Sequence, residues 1–202
     1  MDRHTGAMDQ ITTDQLEQAA AAVRAVLLPA VQRDWQVAAG PLEWTCAQTA
    51  AHIAHDLTAY AAQLAGGARD RYLPLDLTVR DGTDPAALLE ILAACAGLLV
   101  AVVRSSAPDT TAWHWGATDA TGFLALGMNE LLVHAWDITQ GLGLDWRPPA
   151  TLCDTVLRRL VPDAPAGDPV DVLLWVTGRR ALDDAHPRQT RWTVQAARPS
   201  PT

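Results

Sequence analysis

Gly127-Met128-Asn129-Glu130-Leu131-Leu132-Val133-His134-Ala135-Trp136-Asp137-Ile138 has the periodicity of a helix interior. At about 3.6 residues per turn, Glu130, His134 and Asp137 fall within a narrow arc. Leu131, Ala135, Ile138 and the following Leu142 fall together about a third of a turn away. An apolar stripe of this kind needs other helices to cover it. Glu130 and His134, four residues apart, lie one above the other and can reach the same metal ion, with Asp137 beside them. Such a pair lacks a third ligand.

Working outward, this helix spans about Asp119 to Gln140 and stops at Gly141-Leu142-Gly143. Residues 107–118 before it read as a loop containing Trp113-His114-Trp115-Gly116. Upstream, Asp84-Pro85 is an N-cap followed by proline at the first helical position, opening a helix to about Ser105. Thr45 with Gln48 makes a capping box for a helix from about Cys46 to Ala65, ended by Gly66-Gly67. Thr12 with Gln15 makes another, ahead of a helix to about Trp35 in which Leu16, Ala20, Val23, Leu27, Ala30 and Val31 keep three-and-four spacing. Residues 68–83 form the longest connection, with room for a short strand around Leu73, Leu75, Leu77 and Val79.

Four such helices, each apolar on one face, predict an all-α chain built on a four-helix bundle. After Pro148-Pro149, two shorter helices are expected at about 150–160 and 169–177, then a strand-like piece, 191–194. The expected organisation is a mobile N-terminus (1–11), a four-helix bundle (12–143) and a short, mainly helical extension packed on it (144–202), with an irregular tail.

Composition narrows the partners. A formal charge of −8 argues against nucleic acid or an anionic membrane. All fifteen cationic side chains are arginine, which reads as coding bias. Cys46, Cys95 and Cys153 are odd in number, with no CxxC spacing, so neither a disulfide framework nor a zinc ribbon is expected and the reducing cytosol is the expected setting. Met1–Gln10 is polar and does not read as a signal peptide. The apolar run Pro85–Val103 approaches membrane-spanning length, but its soluble-type cap and Glu90 mark it as a buried helix. A GxSxG elbow, a P-loop, a dinucleotide-binding glycine fingerprint and an HExxH helix are all missing, which removes the common hydrolase, kinase, dehydrogenase and metalloprotease readings.

A third ligand is available on the second helix, in Ala50-Ala51-His52-Ile53-Ala54-His55-Asp56-Leu57. His52 lies well off the Ile53/Leu57/Leu64 side, so it decorates a solvated face or points at a partner. Neutral imidazole is the commonest protein metal ligand, and a His2Glu set with open positions is a catalytic zinc pattern. A Glu/His pair four apart also forms plain local hydrogen bonds, and spacing leaves both readings open. His55 is a candidate base, an alternative ligand or a polar neighbour. Asp137 either orients His134 or caps a neighbouring amide. His114 is placed to overhang a pocket mouth. Trp113, Trp115 and Trp136 either wall a pocket or pack the core. Cys46 has either a thiol activated by the helix start or a buried small side chain.

Three segments then resemble a known family. Trp44-Thr45-Cys46-Ala47-Gln48-Thr49-Ala50-Ala51-His52-Ile53-Ala54 is similar to a segment of the DinB-like superfamily. Glu130-Leu131-Leu132-Val133-His134-Ala135-Trp136-Asp137-Ile138 and Leu173-Leu174-Trp175-Val176-Thr177-Gly178-Arg179 resemble segments of its mycothiol-dependent maleylpyruvate isomerase-like branch. The resemblance covers about residues 12–180 and implies a DinB-like bundle holding one divalent metal, usually zinc, on His52, Glu130 and His134. It further implies a low-molecular-weight thiol cofactor of the mycothiol type, whose thiolate attacks a small electrophile, as in an isomerase or S-transferase. Arg179 is the basic residue it offers for an anionic substrate, the other reading being a surface arginine beyond a helix C-terminus. The region after residue 143 is shorter than in the longer isomerases, which puts substrate contacts from a second domain in doubt. A metal-binding protein without thiol chemistry, either a non-catalytic stress-associated protein or a Lewis-acid enzyme of specialised metabolism, stays open, as does a homodimer.

Overall fold

The structure is a computed structural model that describes residues 11–191 and 194–197. Its elements are α1 (Thr13–Leu27), α2 (Cys46–Gly66), α3 (Pro85–Ser105), β1 (Thr111–Trp113), β2 (Ala117–Asp119), α4 (Ala120–Gly141), α5 (Ala150–Leu160) and α6 (Pro169–Val176). The all-α bundle expected from the sequence is present.

Local chemistry sets the ends of each helix. At α2, the Gln48 amide donates to Thr45 Oγ1 at 3.1 Å and the Thr45 amide to Gln48 Oε1 at 2.9 Å, closing the capping box. Gly67 ends α2 in the left-handed conformation that a side chain would oppose. At α3, Asp84 accepts from the Ala87 amide at 2.9 Å. α1 stops at Leu27, short of Trp35. Pro29 has no amide hydrogen to continue the ladder, so the chain tightens into a 3₁₀ turn, Leu28–Ala30.

α1 and α2 each pack against both α3 and α4, so the helices run α1, α3, α2, α4 around the bundle. α5 then lies on the outside of α4, and α6 on α5. That extra layer is why α4 departs from one-sided amphipathicity: its run from Gly122 to Ala135 is buried on every side. α3 departs in the other direction. It is long and apolar enough to cross a membrane, but only one face, including Leu88, Leu92, Cys95 and Leu99, is buried, while Ala94, Leu98 and Ala101 are exposed.

Two connections differ from the sequence reading. Residues 68–83 contain no strand and run as irregular chain, with Leu77 and Val79 half-buried. Residues 107–118, expected as loop, hold β1 and part of β2, which pair antiparallel with Ala112 opposite Thr118. Of the expected strand at 191–194, Trp192 and Thr193 lie outside the described residues, as does the N-terminal segment 1–10. Ile11, assigned to that mobile segment, is buried.

Candidate metal centre

α2 and α4 meet closely because Gly141 carries no side chain. A Cβ there would collide with the Ala38 carbonyl oxygen and lie 2.8 Å from Cys46 Sγ, at the start of α2. Across this contact, His52 of α2 faces Glu130 and His134 of α4. His134 Nε2 is 3.2 Å from Glu130 Oε2, and His52 Nε2 is 3.6 Å from the same oxygen. One ligand-type atom from each of the three residues lies within 4.8 Å of the others.

This spacing fits a metal. An ion holding tetrahedral ligands at about 2.0–2.1 Å separates them by about 3.3 Å, so small shifts suffice to enclose it. Two imidazoles and one carboxylate suit zinc or a similar divalent ion and leave coordination positions for an exogenous ligand.

The groups behind His134 prepare it for that use. Its Nδ1 is 3.0 Å from Asp137 Oδ2, in fully buried surroundings. Asp137 is itself gripped by Arg179, whose Nη2 donates to Oδ2 at 2.7 Å and Nε to Oδ1 at 3.2 Å. Arg179 Nη1 donates to the Thr177 carbonyl at 2.7 Å. With Nδ1 held against Asp137, Nε2 is the ring nitrogen that faces Glu130 and His52, and it would take an ion once it gives up its own hydrogen. Arg179 is therefore not the surface arginine considered above: it is 8% exposed and braces Asp137.

Charge follows from the same contacts. Burial acts to raise the Glu130 carboxyl, but hydrogen bonds from His134 and His52 outweigh it and hold the group well below the usual range. Burial acts to lower His134, but its hydrogen bonds to Asp137 and Glu130 push it up to about 9. Asp56 sits on the open side of the cluster, with Oδ2 3.5 Å from His52 Nε2. Burial and then the Glu130 charge raise its pKa.

His55 does not join the three. Its Nδ1 accepts the Leu77 amide at 3.2 Å, pinning the 68–83 connection to α2. Cys46 is buried, and burial pushes its thiol up to about 11, against the activated reading.

Beside the cluster, a cavity of about 350 Å³ is lined by residues including Asp56, Tyr60, Tyr72, Asp76, His114 and Phe123. Of the two readings of the tryptophans, the pocket wall does not hold: Trp115 is 70% exposed, and neither Trp113 nor Trp136 lines the space. Two tyrosines and one phenylalanine take that role. His114 is in the wall rather than over the mouth. The tight turn between β1 and β2, with Trp115 at a left-handed φ of 54°, turns Trp115 outward and His114 inward. Sequence reasoning missed Asp56 and Tyr60, although they follow His52 at four and eight residues, a spacing that keeps them on one helix side. It also missed Trp44, whose ring lies 4.8 Å from that of His52.

A sequence-family model described as the mycothiol maleylpyruvate isomerase N-terminal domain matches residues 16–139, a span containing His52, Glu130, His134 and Asp137. Among solved structures, the chain is similar to a mycothiol-dependent maleylpyruvate isomerase crystallised as a histidine-to-alanine mutant. The match has 14% identity and a TM-score of 0.52, covering 93% of this chain and 99% of that one. At that identity the likeness is one of fold. No curated protein matches the chain.

Proposed function

The chain belongs to the mycothiol maleylpyruvate isomerase N-terminal domain family, and from that premise we propose that it is a metal-dependent enzyme using a mycothiol-type thiol on a small electrophile, as an isomerase or S-transferase. The observation that carries this reading is the convergence of His52, Glu130 and His134 from two helices, backed by the Asp137–Arg179 pair. His52, Glu130 and His134 would hold the ion, most simply zinc. Bound there, such an ion supplies the Lewis acidity that makes a coordinated thiol a thiolate at neutral pH.

The chain's own residues do the rest. Asp137 holds the His134 proton on Nδ1, and Arg179 holds Asp137 in place. Glu130 stays ionised and contributes the negative charge that offsets a divalent cation. The cavity beside Asp56 gives the electrophile a partly enclosed space next to the cluster.

Metal analysis of protein purified without a histidine tag, beside His134→Ala, tests the metal. One equivalent in the native chain and little in the variant is expected; substoichiometric metal in both refutes it. The cobalt-loaded protein tests the thiol: added mycothiol should alter the visible spectrum, and an unchanged spectrum refutes thiol binding at the metal. A Lewis-acid enzyme without thiol chemistry predicts one equivalent of metal with that unchanged spectrum.

A further inference from the structure

Beside Glu130, α4 buries a second polar side chain that is not itself a candidate ligand. Asn129 is 2% exposed, and in the run from Gly122 to Val133 Glu130 is the only other polar side chain. A leucine has the same branched shape, forms helix better and buries without needing partners. The Asn129 Oδ1 atom is buried with no hydrogen-bond partner among the described residues, so half of the amide is left unsatisfied. The other half is used. Its Nδ2 donates to Glu130 Oε1 at 3.4 Å. The opposite amide orientation would set two acceptor oxygens against each other, so Nδ2 is the atom that faces Glu130. Adjacent helix residues project about 100° apart and do not ordinarily meet, so this contact requires the Glu130 carboxylate to be turned toward Asn129. The two carboxylate oxygens are thereby divided. Oε2 lies 3.2 Å from His134 Nε2 and 3.6 Å from His52 Nε2, while Oε1 is held by Asn129.

We propose that Asn129 is a positioning residue: by holding Oε1 it confines Glu130 to ligation through Oε2 alone, and so keeps a coordination position open for an exogenous ligand. The proposal rests on the metal reading above. A carboxylate can hold a divalent ion through one oxygen or through both. Two imidazoles and a two-oxygen carboxylate make four donors, the number that fills a closed structural zinc site. With one oxygen they make three, the number of a catalytic site with a free position. The identities of His52, Glu130 and His134 are the same in both cases and do not choose between them. Asn129 does. Turning Oε1 toward the ion would break its hydrogen bond and leave the buried amide with neither end satisfied, which opposes the two-oxygen arrangement.

The test compares crystal structures of the zinc-loaded, full-length native chain and Asn129→Leu, with mycothiol titrated into the cobalt-loaded form of each. In the native chain Glu130 should ligate through Oε2 alone with the Asn129 amide on Oε1; in Asn129→Leu both oxygens should reach the ion. Zinc affinity, measured by chelator competition, should be held or raised in Asn129→Leu, whereas mycothiol affinity should fall about tenfold or more. Asn129→Gln, which keeps an amide donor, should recover part of that loss. An amide that served only the packing of α4 would instead lower stability and zinc affinity and leave the ligation unchanged. Two-oxygen ligation in the native chain overturns the proposal even if neither variant folds. One-oxygen ligation in both proteins, or equal mycothiol affinity, overturns the role of Asn129. Failure of the underlying reading shows separately: substoichiometric zinc in the native chain refutes the metal and this proposal together, while a native cobalt spectrum blind to mycothiol refutes the thiol and leaves the two structures to decide the ligation.

Discussion

Replacing Asp137 with asparagine isolates what the residues behind His134 contribute. Asp137 is fully buried and takes hydrogen bonds from Arg179 Nη2 at 2.7 Å and from Nε, shared between both carboxylate oxygens, at 3.2 and 3.3 Å, besides its contact with His134 Nδ1 at 3.0 Å. The amide removes the counter-charge of a buried guanidinium. Breaking a buried pair in this way costs about 3–5 kcal/mol, and the lower end applies here because the amide oxygen still accepts and Arg179 keeps its bond to Thr177. At about 2–4 °C per kcal/mol for a chain of this size, Tm should fall by about 6–12 °C. The amide can also donate to Nδ1 and draw the proton onto Nε2, the atom needed for coordination. Metal affinity, measured by chelator competition, should therefore weaken about 10- to 100-fold. The double variant Asp137→Asn/Arg179→Met separates the two effects. With both charges gone, stability should largely return while metal affinity stays weak. Affinity within twofold of the native chain in the single variant, or restored in the double, would mean that Asp137 serves only Arg179.

Gly141→Ala should destabilise the chain by about 3 kcal/mol or more, since the new methyl meets the Ala38 carbonyl and Cys46 Sγ; denaturant melts unchanged from the native protein would refute the close contact. Burial pushes the Cys46 and Cys153 thiols up to about 11 and about 12, so neither should react with a thiol reagent at pH 8 until the protein is unfolded, as peptide mapping would show. Burial acts to raise the Asp119 carboxyl, but the Gly122 amide, Thr121 and Arg159 together hold it below the usual range. Its folded pKa lies below the unfolded value of about 3.9, so its contribution is fully present well above that pH and is lost as the pH falls through the folded pKa. The stability difference between the native chain and Asp119→Asn should be level above about pH 5 and shrink below about pH 4; a difference level down to pH 3 would refute it.

The sequence carried those parts of the fold whose signals are local. Capping boxes at Thr12 and Thr45 and the Asp84-Pro85 pair marked helix starts, because each satisfies amides within its own turn. The arc of Glu130, His134 and Asp137 was legible for the same reason. Features made by distant segments were not. The burial of α4 on all sides depends on α5, which a helical wheel of α4 does not contain. The pocket wall joins Tyr60, Tyr72, His114 and Phe123 from α2, the 68–83 connection, the β1–β2 turn and α4, and no periodicity links them. Arg179 looked like a surface residue past a helix end, whereas a buried carboxylate 42 positions away holds it inside.

The three clustered residues lie between two unlike environments, and this asymmetry bears on what the site can do. On one side, Asp137 and Arg179 form a buried charge pair that fixes the orientation of His134. On the other, His52 is 28% exposed, Asp56 borders a cavity, and Trp44 is 45% exposed above the His52 ring. A purely structural metal site would be expected to be closed on all sides, with every coordination position filled by protein. A site braced on one face and open on the other keeps its ligands rigid while admitting an exogenous group. Placing Glu130 and His134 on the most deeply packed helix serves the same end, because a bundle core at native packing density resists displacement when the ligand shell changes. The arrangement therefore favours exchange chemistry at the proposed metal over a purely structural role.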